Sequence, residues 1–323
     1  MKKNIAIIMG GYSSEYDISI KSGDVVYKIL SEDKDLNVHR IIINKEGWYF
    51  KDDSGDKSEV ILNSFQVMSN GIQISFDLIF NTIHGIPGEN GEIQKYFEKL
   101  GLKQTSSDSI SAKLTFDKNA CKEKVKLMGY NVPLSTIIKK GESYDYDMIF
   151  SKLRLPIFVK PNEGGSSFGI SRIEEKKDLK KALELCFGED DNALVEEEVQ
   201  GREISVGVIK LDNKIIALPP TEIISHNSFF DYDAKYNGES DEITPAEINY
   251  DLEEIVKGIS IDIYKKLNLN GFSRCDFILK DDKFYFLEVN TNPGLTEESI
   301  LPQQAKAAGI SLKKLFKSVI YNE

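Results

Sequence analysis

Arg274-Cys275-Asp276 and Glu288-Val289-Asn290 place an arginine, two carboxylates and a carboxamide at alternate positions of two short apolar segments. Residues two apart in a strand share a face, so Arg274 points with Asp276, and Glu288 with Asn290. Between them, Lys280-Asp281-Asp282-Lys283 is a polar break that reads as a hairpin turn. Register decides what the set can do. A three-residue or bulged loop sets Asp276 opposite Glu288 and Arg274 opposite Asn290 on one face, whereas a two-residue loop splits them. Two carboxylates and an amide oxygen together make a hard, oxygen-only site suited to Mg²⁺ with bound phosphates. A solvated hairpin is the ordinary alternative, but Phe277, Phe284, Phe286 and Leu287 argue for a packed one.

Other segments carry compatible chemistry. Lys160-Pro161-Asn162-Glu163-Gly164-Gly165-Ser166-Ser167-Phe168-Gly169 reads as a strand end and a glycine/serine loop. Glycines let backbone amides approach phosphate oxygens, serines add hydroxyl donors and the lysine adds charge. Standing alone, the segment is equally a flexible turn; Lys160 beside a carboxylate cluster favours a phosphate-covering loop. Glu196-Glu197-Glu198 reads as a solvated edge at Glu197 and Glu198, while Glu196 and Glu203 could accept bonds from an adenine amino group and a ribose hydroxyl. Lys118 sits among Lys113, Lys122, Lys124 and Lys126 on a helical stretch where lysines ordinarily face water. His84 closes a strand before the glycine-rich Gly85-Ile86-Pro87-Gly88, the position where α/β sheets bind anions, and is read as site-lining. Glu15, after Gly10-Gly11, is either a first-turn helix carboxylate or a grip for a substrate ammonium. The aromatic run from Phe229 to Tyr236 suits a lid over ligand.

These groups need elements to position them. Strands are expected over residues 4–9, 38–43 and 77–84, with helices over 15–30 and 92–100, a βαβ pattern with a parallel sheet. One helix is expected over 108–128, with Asp108 as its cap. Strands near 155–161, 170–173 and 193–197 surround a helix at 176–186. Strands at 203–210 and 214–218 precede the lid, 227–242, then a helix at 250–266, the hairpin and two closing helices. Three α+β units follow: 1–106, 107–193 and 194–323. The 323 residues, 41% hydrophobic and 29% charged, suit a globular enzyme with large cores. A net charge of −11 argues against a nucleic-acid partner. No apolar run approaches the ~20 residues that span a bilayer. Three widely spaced cysteines suggest no disulfide framework, and the expected location is the cytoplasm.

The ordered set Gly10-Gly11…Glu15, His84-Gly85…Gly88-Glu89, Asp117-Lys118, the 160–169 loop, Tyr232…Lys235-Tyr236, Arg274-x-Asp276 and Glu288-x-Asn290-Thr291-Asn292-Pro293-Gly294 resembles the D-alanine–D-alanine ligases of the ATP-grasp superfamily. The resemblance implies a three-domain α/β architecture in which the central and C-terminal domains clamp ATP. It implies that Lys118, Lys160 and Ser167 bind phosphates, Lys235 the terminal phosphate, Glu196 and the Val199 backbone adenine, and Glu203 the ribose. Asp276, Glu288 and Asn290 resemble the ligands of two Mg²⁺ ions, for which Mn²⁺ can substitute. Glu15, linked through Ser166 and Tyr236, would hold the first D-alanine. Arg274 and the Gly294 amide would stabilise the oxyanion, and Ser299 would receive the second substrate's carboxylate, with His84 and Ile300 lining the site. A homodimer is implied as well. Departures are Asn162-Glu163 in the glycine loop, Glu197 where several relatives carry lysine, and Ile300 for the commoner leucine. The alternatives are a D-lactate- or D-serine-accepting ligase, another ATP-grasp carboxylate–amine ligase, and a silent nucleotide-binding protein.

Overall fold

Three sheets organise the chain, described over residues 2–52, 54–165, 168–225 and 240–321 of a computed structural model. The first begins with β1 (Lys3–Gly10), in which Ile5 to Met9 are all buried, as a central parallel strand demands. It continues through α1 (Tyr16–Ser31), β2 (Leu36–Asn44), β3 (Gly47–Lys51), β4 (Lys57–Ile61), β5 (Gln66–Ser69), β6 (Ile72–Ile74), β7 (Leu78–Asn81) and α2 (Glu92–Lys99). Strand order is β6-β5-β4-β3-β2-β1-β7; β1 runs parallel to β2 and β7, and the other pairs are antiparallel. The expected parallel βαβ centre is therefore extended by an antiparallel meander that the sequence patterning did not register. Its strands have only 5, 5, 4 and 3 residues and few of them are buried, so little period-two alternation survives.

The single helix expected over 108–128 is two, α3 (Ser109–Phe116) and α4 (Lys118–Leu127). Asp117 breaks it by adopting ψ 97° and accepting a hydrogen bond from the Ala120 amide at 2.9 Å, an N-cap for α4. Asp108 caps α3 as expected, through the Ser111 amide at 2.7 Å. The second sheet, order β10-β9-β11-β8, is antiparallel throughout. It is formed by β8 (Ser135–Lys139), β9 (Ile157–Pro161), β10 (Ser171–Ile173) and β11 (Asn192–Glu197), packed on α5 (Tyr146–Lys152) and α6 (Leu179–Cys186).

The last third holds β12 (Arg202–Leu211), β13 (Lys214–Ala217), β14 (Thr221–Ser225), β15 (Ser240–Ile243), α7 (Tyr250–Lys266), β16 (Ser273–Lys280), β17 (Lys283–Asn290), α8 (Ile300–Ala307) and α9 (Leu312–Ile320). The third sheet runs β15-β14-β12-β16-β17, with β13 on β12. Two cores tie these units together. Leu315, Phe316 and Val319 of α9 pack with Ile5, Ile7, Val26 and Leu30, so the end of the chain closes on its beginning. Cys121 and Val125 of α4 pack with Val206, Phe277, Phe286 and Val256, seating α4 on the third sheet. Among the described residues no helix is long and apolar enough to cross a membrane. The three cysteines are free and buried.

Candidate active site

The β16–β17 hairpin settles the register question in an unexpected way. Its turn has only two residues, Asp281 and Asp282, at φ 48° and 56°. Such a turn alone would split the chemical set. A bulge restores it: Phe277 pairs with Phe286 but Asp276 pairs with Glu288, leaving Leu287 as the extra residue. Arg274 then pairs with Asn290, and all four groups share one face. Behind them Phe277 meets Phe284 and Phe286 with ring centroids 6.1 and 5.8 Å apart, edge to face. Each such buried side chain stabilises the hairpin by ~1.5–3 kcal/mol, so the site rests on a rigid support.

Arg274 donates to both carboxylate oxygens of Asp276, Nε to Oδ1 at 3.0 Å and Nη2 to Oδ2 at 2.8 Å. Ser205 on β12, directly opposite Asp276, donates to Oδ1 at 2.6 Å. Asn290 turns its Oδ1 onto the Asn292 amide at 2.7 Å, fixing the turn that leads to Gly294. Among the described residues no three His, Cys, Asp or Glu side chains form a metal cage. The set of Asp276, Glu288 and Asn290 fits Mg²⁺ nonetheless, because that ion binds through one or two carboxylates and leaves its other positions to water and phosphate.

Lys118 is the first residue of α4, and its burial contradicts a surface role. Its ammonium donates to the Gly164 carbonyl and lies 3.7 Å from Glu288 Oε2. The glycine loop is locked to this helix end: Asn162 donates Nδ2 to Asp117 Oδ1 at 2.9 Å and accepts the Asn119 amide at Oδ1, also at 2.9 Å. Lys160 on β9 donates to Glu196 Oε1 at 2.8 Å, and Lys122 donates to Glu196 Oε2. Burial opposes ionisation of Glu196, but Lys160 and Lys122 outweigh it and hold the carboxyl below its ordinary range. Two surface expectations therefore fail here. Lys122 is fully buried, and Glu198 is held by Arg172 through Nε and Nη2, both at 2.9 Å.

Glu15 precedes α1 and is buried against two glycines. A Cβ on Gly165 would stand 2.9 Å from its Oε1, and one on Gly85 2.9 Å from its Oε2. His84 is buried with Nε2 3.2 Å from Ser22 Oγ, and burial pulls its imidazole below the ordinary value against the pull of Glu15. Glu89 accepts the Gly85 amide at 2.6 Å, and burial, with Glu15 second, pushes its carboxyl up to about 8. Ser299 is the N-cap of α8, its hydroxyl 2.8 Å from that of Thr296, and a Cβ on Gly294 would meet it at 2.7 Å. Ser166, Ser167, Lys235 and Tyr236, and the lid from 227 to 239, lie outside the described residues.

These groups line two adjoining cavities. One, of about 340 Å³, is bounded by Glu15, His84, Asn290, Gly294, Ser299 and Ile300. The other, of about 580 Å³, is bounded by Lys160, Glu196, Val199, Glu203 and Asp276. Lys118, Arg274 and Glu288 belong to both walls. Four more charged residues, Lys21, Glu89, Glu242 and Glu298, line the smaller cavity without having been assigned a role from sequence. Glu89 sat inside the glycine-rich motif, and its place there was the available signal. Lys122 lies one helical turn after Lys118, a spacing that puts both on one face.

The chain is similar to known proteins over nearly its whole length. Residues 4–107 match the family described as D-ala D-ala ligase N-terminus and residues 125–321 that described as D-ala D-ala ligase C-terminus. A D-alanine–D-alanine ligase of Flavobacterium johnsoniae is 48% identical, with 98% of each chain covered. One of Christiangramia forsetii is 46% identical, covering 99% of this chain and 98% of the relative. Among solved structures, the VanG D-Ala:D-Ser ligase of Enterococcus faecalis superposes with a TM-score of 0.89 at 32% identity, covering 99% of both chains. The Bacillus anthracis D-alanine–D-alanine ligase complexed with ATP gives 0.80 at 31% identity, covering 99% of this chain and 96% of the other.

Proposed function

The chain belongs to the D-alanine–D-alanine ligase family, ATP-dependent carboxylate–amine ligases of ATP-grasp fold, and from this premise we propose that it joins two D-alanines through a D-alanyl phosphate for peptidoglycan precursor synthesis. The observation that carries the reading is the shared wall of Lys118, Arg274 and Glu288. A reaction that passes a phosphoryl group from a nucleotide to a small acid needs two cavities that meet at charged groups.

In the first step the carboxylate of one D-alanine attacks the γ-phosphorus of ATP, giving the acyl phosphate and ADP. In the second the amine of another D-alanine attacks the acyl carbon and inorganic phosphate leaves. Glu15 holds the first ammonium, in the linkage with Ser166 and Tyr236. Lys118, Lys160, Ser167 and Lys235 neutralise the phosphates, Glu203 bonds the ribose, and Val199 offers its backbone to adenine. Glu196 still has acceptor capacity for the adenine amino group beside its two lysines, since a carboxylate offers about four lone-pair sites. Arg274 and the Gly294 amide face the developing oxyanion, where one donor is commonly worth ~10²–10³ in rate. Ser299, with the N-terminus of α8, receives the second carboxylate, and His84 and Ile300 close the wall. Asp276, Glu288 and Asn290 would hold two Mg²⁺, or Mn²⁺, which neutralise charge on the phosphates. Water exclusion by the 227–242 lid protects the acyl phosphate. A homodimer working in the cytoplasm completes the proposal.

D-Serine or D-lactate as second substrate is the competing reading, and the VanG likeness shows that the fold tolerates such a ligase. The higher identity to D-alanine ligases, 46–48% against 32%, favours D-alanine. Coupled ADP release with Mg²⁺-ATP tests this, with product mass as readout. D-Alanine alone should sustain turnover and give the dipeptide; turnover only on adding D-serine or D-lactate would contradict the assignment.

A further inference from the structure

Lys122 lines neither cavity, yet it is 1% exposed and ion-paired, which is costly for a lysine without a purpose. Its ammonium donates to Glu196 Oε2 and, at 3.2 Å, to Ser135 Oγ. The other oxygen of Glu196 is taken by Lys160 at 2.8 Å. The side chains of Lys122, Glu196 and Lys160 are 1%, 3% and 14% exposed, and the trio reaches the larger cavity through Glu196 and Lys160. Two ammoniums and one carboxylate sum to a single positive charge. Without Lys122 the remaining pair is neutral, and Glu203 and Glu288, which also act on Lys160, would make the neighbourhood acidic. The same helix thus sends Lys118 to the cavity junction and Lys122 behind the floor.

We propose that Lys122 is a positioning residue for the nucleotide: by sharing Glu196 with Lys160, it leaves the Lys160 charge only partly compensated and available to an anion in the larger cavity. This rests on the reading that the cavity takes ATP. Glu196 decides the outcome, because it compensates the Lys160 charge in full only when Lys122 is absent.

The test uses the full chain and the variants Lys122→Met, Glu196→Gln and both together, with ADP affinity measured beside KM for ATP and for D-alanine. Lys122→Met should raise the ATP KM and the ADP Kd about tenfold or more, while the D-alanine KM and kcat stay within about threefold. In the Glu196→Gln background the same substitution should change ADP affinity less than about threefold, since no carboxylate remains at that position to compensate the Lys160 charge. A purely structural role predicts a lower Tm in both backgrounds with ADP affinity unmoved, and that result overturns the proposal. An equal loss of ADP affinity in both backgrounds overturns it too. Should Lys122→Met not fold, Lys122→Gln, which keeps a donor but not the charge, is judged by the same criteria. A wild-type chain that binds no ADP defeats the nucleotide reading itself. Wild-type binding with an unaffected Lys122 variant defeats this inference alone.

Discussion

Burial beside a second carboxylate gives Glu89 a proton at neutral pH, and the consequence for stability has a definite sign. Its carboxyl is raised from 4.5 to about 8 in the folded chain, by burial first and Glu15 second. Between those values the unfolded chain has released the proton while the folded chain retains it, so stability falls as pH rises. The contribution is intact below pH 4.5 and fully lost above about 8. Glu89→Gln cannot titrate, so its Tm should gain on the wild type progressively from pH 5 to 8.5; parallel Tm curves would show that Glu89 titrates normally. At this scale the sequence identified side chains well but environments poorly. Lys118 and Lys122 have the same type and the same helix, and only the fold reveals that one reaches a cavity while the other is buried behind it. Whether a carboxyl is crowded by another, as Glu89 is by Glu15, depends on residues far apart in the chain.

At the scale of elements, the hairpin shows how narrowly register can be set. Asp281 and Asp282 both take left-handed φ, the geometry of a type I′ turn, for which Asn-Gly is better suited. Replacing the pair by Asn-Gly should raise stability by on the order of 1 kcal/mol, seen as a higher Tm with unchanged kcat. A loss of activity would mean that the turn, and not the bulge at Leu287, fixes the pairing of Asp276 with Glu288. The alternation of burial does break at Leu287 and Glu288, two successive residues that both line the larger cavity. That irregularity was legible, though not its direction. Another signal was overlooked: Asn70-Gly71, the turn between β5 and β6, is a strong hairpin marker that sat between strands too short to draw notice. Asp117 was hidden for a different reason, since a cap inside a continuous helical pattern leaves the hydrophobic period undisturbed.

The whole molecule brings the first and last parts of the chain to one place. Glu15 and His84 come from the segments that follow β1 and β7, Lys118 from α4, Arg274 from the third sheet, and Ser299 from the N-cap of α8, all around one cavity. The core shared by α9, α1 and β1 explains why, because it fixes the first unit against the last. Periodicity and spacing gave the elements in order; nothing in them brings residue 15 near residue 274. The family resemblance supplied that closeness, and the likeness to solved ligases bears out the ATP-grasp fold it implied. The proposed reaction joins every scale: a substrate carboxylate, held in the smaller cavity, would attack the nucleotide's terminal phosphorus across the common wall. The most direct measurement supplies D-alanine with both carboxylate oxygens replaced by oxygen-18, together with unlabelled ATP, and weighs the phosphate released. Each phosphate should carry one heavy oxygen, brought over when the acyl phosphate collapses. Unlabelled phosphate, accompanying dipeptide formation at the normal rate, would contradict it.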